Sequence, residues 1–152
     1  GHTDAVLSVA VSPDGRELLS ASQDGTVRAW AVASGALVHT FAIPGAHLVR
    51  YSPDGRFFAV ATQGPTVWLC RRSHNLCEGL KGHTAETRDL AFDHHTRALV
   101  TGSADHTVRL WDVESTDSRV LRGHEAGIFD VAVSRDGKWV ASASADTTVR
   151  VW

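Results

Sequence analysis

Residues 99–111 read LVTGSADHTVRLW, and the same thirteen-position pattern occurs twice more in the chain. Residues 18–30 read LLSASQDGTVRAW, and residues 140–152 read VASASADTTVRVW. In each copy an Asp stands six residues before a Trp, and a His stands 22 residues before that Asp. A spacing that recurs three times in 152 residues indicates internal repeats. The repeat period is stronger evidence of the fold than any single predicted strand.

A fourth, degenerate copy lies between the first two. The sequence SPDGR at residues 12–16 returns at residues 52–56, an offset of 40 residues. On that offset the repeated His, Ser, Asp and Trp are replaced, in order, by Ala42, Val60, Gly64 and Cys70. The chain therefore divides into four units of about 40 residues, with approximate boundaries 1–41, 42–81, 82–122 and 123–152.

Each unit has the pattern of short β-strands. Apolar runs such as residues 131–133 precede Ser-Pro-Asp-Gly turns or their equivalents, in which proline and glycine favour a tight reversal. An Asp-x-Thr hairpin separates the next two strands, and a fourth strand precedes the following unit. No stretch shows useful helical periodicity. Fifteen strands can be placed, because the last unit ends at Trp152 before a fourth strand. The predicted class is all-β.

Composition excludes several classes of protein. The chain is 43% hydrophobic and 21% charged with a formal net charge of −2, which is typical of a folded domain. No apolar run reaches the roughly 18 residues of a membrane span, and the first residues do not have the pattern of a signal peptide. Phosphate recognition needs clustered Lys and Arg, so neither a membrane nor a nucleic acid is expected as a partner.

The cysteines and histidines do not indicate a metal site. Cys70 and Cys77 lack zinc-ligand spacing and would close at most one small loop, so reduced thiols and a cytoplasmic location are expected. Cys70, in the place of a Trp, is interpreted as a small apolar filler. His94 and His95 lie in a turn, where neighbouring side chains diverge, and no carboxylate or thiolate spacing supports a site that they would share with His106. We expect no metal and no cofactor.

The Gly-His pair, the Ser or Thr, the Asp and the Trp at these spacings, with Leu110-Trp111-Asp112 containing the Trp-Asp dipeptide, resemble the WD40-repeat β-propeller family. The resemblance covers essentially the whole chain and implies four-stranded antiparallel blades in a radial arrangement. The expected fold is a partial propeller of four blades, the second degenerate and the last without its outer strand. The resemblance also implies a hydrogen-bonded structural tetrad in three blades: His2, Ser20, Asp24 and Trp30; His83, Thr101, Asp105 and Trp111; and His124, Ser142, Asp146 and Trp152.

The combination of His, Ser and Asp also suggests a catalytic triad, in which Ser142 would be the nucleophile of a serine hydrolase. The structural interpretation is favoured, because an active site needs one nucleophile with an oxyanion hole, whereas this combination occurs three times. Buried indole, hydroxyl and imidazole groups are costly unless they are paired, and a satisfied network fixes the loops that contribute to it. We therefore expect no enzymatic activity.

In the family, partners often dock on the face that carries the Gly-His loops and the Asp hairpins. The contacting side chains lie three and five residues after the His and one residue before the Asp. On this sequence the resemblance implies a set of candidate partner-binding residues: Phe129, Arg88, Glu86, Leu7, Gln23, His47 and Gln63. Aromatic and Arg side chains are enriched in binding hot spots, which favours Phe129 and Arg88. The alternative for Phe129 is that it packs under its loop.

A second charged feature lies in the degenerate unit. Arg71 and Arg72, near His74 and Lys81, would suit an acidic partner, although an isolated basic cluster more often lies in a solvated loop.

Four blades are fewer than the family's usual ring contains, so two apolar flanks need to be covered. Either further blades follow in a longer chain, or a second copy closes the ring in trans. The start at Gly1 and the absence of Met favour the longer chain.

The predicted function is a noncatalytic scaffold for a protein or peptide partner. Two lysines against thirteen arginines favour a GC-rich bacterial source, in which similar repeats form the sensor or scaffold module of larger signalling proteins. The alternatives are a purely structural or oligomerising segment without its own ligand site and, more remotely, the serine hydrolase.

Overall fold

The computed structural model describes residues 1–152 as fifteen strands in four antiparallel sheets. The first sheet contains β1 (Val6–Val11), β2 (Glu17–Ser22), β3 (Thr26–Ala31) and β4 (Leu37–Ala42). The second contains β5 (Ala46–Tyr51), β6 (Phe57–Thr62), β7 (Val67–Arg71) and β8 (Leu76–Leu80). The third contains β9 (Thr87–Phe92), β10 (Ala98–Ser103), β11 (Val108–Asp112) and β12 (Ser118–Leu121). The fourth contains only β13 (Ile128–Val133), β14 (Val140–Ser144) and β15 (Val149–Val151).

Strands pair in chain order within every sheet, so each sheet is one blade. The prediction of a partial propeller with four blades, the last without its outer strand, is confirmed. The helical content is one 3-10 turn, Arg72–His74, and the chain has no helix with the length and apolarity needed to cross a bilayer.

The turn between the first two strands of a blade is fixed by its own side chains. The Ser12 hydroxyl donates to Asp14 Oδ1 (2.6 Å) and accepts the Glu17 N–H (2.9 Å). Gly15 has a φ of 69°, a conformation that glycine adopts without strain. Blades 2 and 4 repeat this turn. We call this end of the blades the bottom rim, and the opposite end, with the Gly-His loops and Asp hairpins, the top rim.

The core lies between neighbouring blades. Blades 1 and 2 share one buried cluster: Leu19, Ala21, Val27, Ala29, Phe41, Ile43, Ala46, Val49, Phe58, Val60 and Cys70. Similar clusters lie between blades 2 and 3, around Phe57 and Trp111, and between blades 3 and 4, around Val100 and Ile128. Strand β6 is buried at all six positions because another blade covers each of its faces.

A disulfide joins Cys70 to Cys77. The two residues lie opposite each other in the β7–β8 pairing, with their Cα atoms 3.9 Å apart. The prediction of reduced thiols was wrong, because it used cysteine spacing without the register of the strands. Cys70 is fully buried, as expected of an apolar filler, but its sulfur also ties the third strand of the degenerate blade to the fourth.

Polar side chains also bind the first strand of the next blade. The Val49 N–H donates to Ser8 Oγ (3.2 Å), and the Val131 N–H donates to Asp89 Oδ2 (3.0 Å). Burial raises the pKa of Asp89, and the neighbouring Asp130 carboxyl raises it further. The Val131 N–H acts in the opposite direction, and the resulting pKa of Asp89 is about 6.

We expect the contribution of Asp89 to the free energy of unfolding to be lost between pH 4 and pH 6. Its folded-state pKa of about 6 lies above the ordinary value of 3.8, so the native state holds the proton in this range. The contribution is therefore present below pH 4 and disappears as pH rises through 6. Urea unfolding of the parent chain and of Asp89→Asn across this range measures it. The exposed Asp117→Asn serves as control, and an unchanged pH slope in Asp89→Asn would contradict the assignment.

The first and last blades each leave one face uncovered, because the four sheets do not close into a ring. Val9 and Val11 on blade 1, and Val149 and Val151 on blade 4, are each more than half exposed. We call these two surfaces the flanks.

Candidate functional site

A chain of hydrogen bonds runs from the hairpin to the third strand in three of the blades. In blade 3 the His83 Nδ1–H donates to Asp105 Oδ2 (2.8 Å). The Thr101 hydroxyl donates to His83 Nε2 (2.8 Å) and accepts the Trp111 Nε1–H (2.9 Å). A carboxylate only accepts and an indole only donates, so this assignment requires a neutral imidazole with its proton on Nδ1. Burial lowers the pKa of His83, which favours that neutral form.

Blades 1 and 4 have the same arrangement, with distances of 2.6–2.9 Å along each chain of bonds. The residues that the structure brings together are His2, Ser20, Asp24 and Trp30 in blade 1, and His124, Ser142, Asp146 and Trp152 in blade 4. Blade 2 has only apolar or small residues and Cys70 at these positions, so it lacks the network.

A fifth residue belongs to each network and was missed by the sequence reasoning. The Thr107 hydroxyl donates to Asp105 Oδ1 (2.6 Å), and Thr26 and Thr148 donate to their own hairpin Asp in the same way. The repeated Asp-x-Thr spacing was the signal that would have found them. Burial alone would raise the pKa of Asp105, but hydrogen bonds from Thr107, the Thr84 N–H and His83 outweigh it and lower the pKa to about 2.

The geometry of these networks suits bracing better than catalysis. The hydroxyls of Ser142 and Thr101 are buried, and each already accepts an indole N–H. None of the four surface clefts is lined by a hydroxyl, imidazole or carboxylate of a tetrad. No three His, Cys, Asp or Glu side chains lie together as metal ligands. Each network therefore ties a Gly-His loop and an Asp hairpin to the body of its blade.

Four of the candidate partner-binding residues lie at β-bulges on the top rim. The register between the first two strands shifts once in each blade, at Leu7, His47, Arg88 and Phe129. A bulge bends the strand and redirects a side chain out of the regular alternation. Leu7 and Phe129 are exposed, whereas His47 and Arg88 are half-buried. The repeat thus places one variable side chain per blade at the same point of the rim.

Phe129, Arg88 and Glu86 form one surface group across blades 3 and 4, which we call the aromatic group. The Arg88 Cζ lies 4.7 Å from the centroid of the Phe129 ring, and its Nε lies 3.7 Å from Glu86 Oε2. Phe129 is 56% exposed and does not pack under its loop. An exposed cation–π contact contributes about 0.5–1 kcal/mol, which favours one orientation of the ring.

Gln23 and Gln63 contribute to a second feature, a cleft of about 320 Å³ between blades 1 and 2. The cleft is lined by Asp4, Gln23, Gly45, Ala46 and Gln63. The two amide side chains offer both donors and acceptors to a ligand. His47 follows this lining in sequence, and its buried Nδ1 has no hydrogen-bond partner. Leu7 belongs neither to the cleft nor to the aromatic group.

The chain matches the family model described as WD domain, G-beta repeat, over residues 1–31, 74–112 and 115–152. It is 34% identical over 125 residues to periodic tryptophan protein 2 of Arabidopsis thaliana, a match that covers 78% of this chain and 14% of the relative. It is 29% identical over 122 residues to the small ribosomal subunit protein RACK1 of Candida albicans, covering 74% of this chain and 38% of the relative. The chain thus spans less than two fifths of either relative. The residues that the family model leaves out include most of the degenerate second blade.

Proposed function

The chain belongs to the WD40 repeat family, and on that premise we propose that it is a noncatalytic scaffold whose top rim binds a protein or peptide partner. Repeats of this family serve generally as scaffolds for protein interactions. The observation that carries the proposal for this chain is the aromatic group, because Phe129 is an exposed aromatic side chain held in place on a braced rim.

The aromatic group has the composition of an interface hot spot. Aromatic and Arg side chains dominate the binding energy of many interfaces, and a polar border around an apolar centre is typical of them. Phe129 supplies the apolar centre, and the Arg88–Glu86 pair supplies charges of both signs at its edge. Full burial of a Phe side chain contributes about 1.5–3 kcal/mol, enough to make this residue a main anchor.

The cleft between blades 1 and 2 extends the proposed surface. Gln23 and Gln63 would hydrogen-bond to the backbone of an extended peptide, since amide groups complement peptide N–H and C=O groups. His47 and Leu7 would add a polar and an apolar contact on the same rim. The networks in blades 1, 3 and 4 stabilise the loops of the blades that carry Leu7, Gln23 and the aromatic group, so that little ordering is needed there on binding.

We expect the double variant Phe129→Ala/Arg88→Ala to lose its partner while it keeps its fold. Quantitative affinity capture from the native lysate measures the loss, with the parent chain, the double variant and a control variant at equal loading. Trp139→Ala is the matched control, because Trp139 is an equally exposed aromatic residue (58%) beyond the bottom-rim turn of blade 4. Partners that are retained by Trp139→Ala and reduced at least tenfold by the double variant support the proposal. An unchanged set of partners in the double variant would defeat it.

A second candidate function is assembly through the flanks. Val9 and Val11 on one flank and Val149 and Val151 on the other are apolar and exposed, whereas the equivalent faces between blades are buried. Asp130 of blade 4 is exposed and holds the position of Asp89, which accepts an N–H of the next blade. Val9 of blade 1 holds the position of Val131. Further blades, in cis or from a second copy, would supply an N–H donor to the Asp130 carboxyl and an acceptor to the Val9 N–H.

We expect the 152-residue chain to associate in solution through its flanks. Sedimentation over a range of concentrations measures the mass of the species that form. A discrete dimer supports a second copy, and indefinite association supports blades supplied in cis. Val149→Lys should weaken association, whereas Leu76→Lys, at an exposed position on the outer strand of blade 2, should not. A monodisperse monomer at every concentration would contradict the role of the flanks.

A cytoplasmic location and membership of a larger bacterial signalling protein are further proposals, and both rest on composition. The disulfide leaves no free thiols, so the expectation of reduced cysteines no longer supports a cytoplasmic location.

A further inference from the structure

The largest cleft of the chain lies on the bottom rim of blade 2, away from the proposed partner surface. Its volume is about 480 Å³. It is lined by Gly55, Arg56, Phe57, Arg71, Arg72 and Ser73. Three of these six residues are arginines, and none carries a carboxylate. We call this feature the arginine cleft.

The repeat does not require two of these arginines. Arg71 occupies the position of Ala31 in blade 1 and of Asp112 in blade 3, as the strand register shows. Arg72 follows it, where blades 1 and 3 have valine. Because the same fold forms with alanine, aspartate or valine at these points, the basic pair is a feature of this blade and not of the propeller.

Carboxylates of the neighbouring blades hold Arg71 and Arg72 from outside the cleft. Arg72 Nη1 lies 3.2 Å from Asp14 Oδ2, and its Nε lies 3.4 Å from Glu17 Oε1, both in blade 1. Arg71 Nη2 donates to Glu114 Oε2 of blade 3 at 2.9 Å. A guanidinium has five N–H donors, so these contacts leave donors of both side chains free for a ligand. The sequence-based expectation of a freely solvated loop does not describe these side chains.

Arg56 and Phe57 complete the cleft. Arg56 Nε donates to Asp54 Oδ2 at 2.7 Å, and its Cζ lies 5.2 Å from the centroid of the Phe57 ring. The Arg71 Cζ lies 4.9 Å from the same ring, which is itself buried. Two cation–π contacts to one fixed ring restrict both guanidinium groups before any ligand arrives.

We propose that the arginine cleft binds a phosphate monoester group. A phosphate carries up to two charges and three terminal oxygens, and it can accept hydrogen bonds from several guanidinium forks at once. A carboxylate is matched by a single fork, whereas Glu114 and Asp14 each contact their arginine through one N–H only, at 2.9 Å to Arg71 and 3.2 Å to Arg72. The volume falls within the range of about 300–1,000 Å³ of small-molecule sites and leaves space for the group that bears the phosphate.

Calorimetric titration tests this site on the intact chain, with sodium phosphate as the first probe at constant ionic strength. We expect Arg71→Gln and Arg56→Gln each to weaken phosphate binding at least tenfold. Arg16→Gln is the matched control, because Arg16 holds the position of Arg56 in blade 1 and does not line the cleft. The second probe is a short phosphoserine peptide, compared with the same peptide without phosphate. Tighter binding of the phosphopeptide than of free phosphate identifies a protein source, and equal binding identifies a small-molecule source.

Three results would overturn the proposal: no binding of either phosphate probe, equal binding of the phosphorylated and plain peptides, or unchanged affinity in both arginine variants. If Arg71→Gln fails to fold, Arg56→Gln decides alone, because the Arg56 side chain is 61% exposed. The test is independent of the top rim, since Phe129→Ala/Arg88→Ala leaves the arginine cleft intact.

Discussion

Reduction of the Cys70–Cys77 disulfide is expected to lower the free energy of unfolding by about 2.5 kcal/mol, the chain-entropy value for a short loop. The two cysteines are seven residues apart, so the bond closes only the β7–β8 hairpin. Blade 2 has no tetrad to hold its third strand. In this blade the disulfide takes the place of the tetrad. Its reduction should therefore destabilise blade 2, which has no hydrogen-bonded network to compensate.

Urea unfolding with and without a phosphine reductant measures this contribution. The double variant Cys70→Ala/Cys77→Ala should be destabilised to a similar extent and should not respond to reductant. Because blades contact mainly their neighbours, the effect should be concentrated in β8, whose amides should exchange faster with solvent. An unchanged unfolding midpoint in a chain shown by mass to be fully reduced would contradict the prediction.

The register of the repeat contained the signal for this disulfide. In blade 1 Trp30 pairs with Leu37, and in blade 3 Trp111 pairs with Ser118, each across seven residues. Cys70 replaces the Trp, and Cys77 stands seven residues later. Alignment of the fourth strands would therefore have placed the two cysteines opposite each other. The prediction of reduced thiols was wrong because it was based on the cellular compartment, whereas the strand register places the two cysteines opposite each other.

The fold was predictable because the same spacing recurs and each copy forms the same bonds. The His, hydroxyl, Asp and Trp of a unit lie far apart in sequence, yet their separations are constant, so repetition alone identified them. Contacts between different units were not predictable in the same way. Arg88 faces Phe129 because bulges in two neighbouring blades redirect both side chains, and Arg72 reaches Asp14 because two bottom rims lie side by side. These contacts depend on how neighbouring blades pack, and the spacing of residues within one repeat does not predict that packing.

Thr101→Val is expected to lower the free energy of unfolding by about 2–6 kcal/mol. Valine keeps the shape of threonine but removes the hydroxyl that serves both His83 Nε2 and the Trp111 Nε1–H. Each buried group left without a partner costs about 1–3 kcal/mol, and here two are left. Urea unfolding measures the loss, and Thr40→Val, at an exposed position, is the matched control with an expected change within about 0.5 kcal/mol.

The degenerate blade explains why this loss should not be additive. Val60 occupies the position of Thr101 in blade 2 and is tolerated there, because neither an imidazole nor an indole is present to be orphaned. Trp111→Phe removes the indole N–H, so Thr101→Val/Trp111→Phe leaves one orphaned group fewer than Thr101→Val alone. We therefore expect the double variant to lose less stability than the sum of the two single variants, by at least about 1 kcal/mol. Strict additivity would mean that the hydroxyl and the indole stabilise the blade independently, and that the tetrad is not a network.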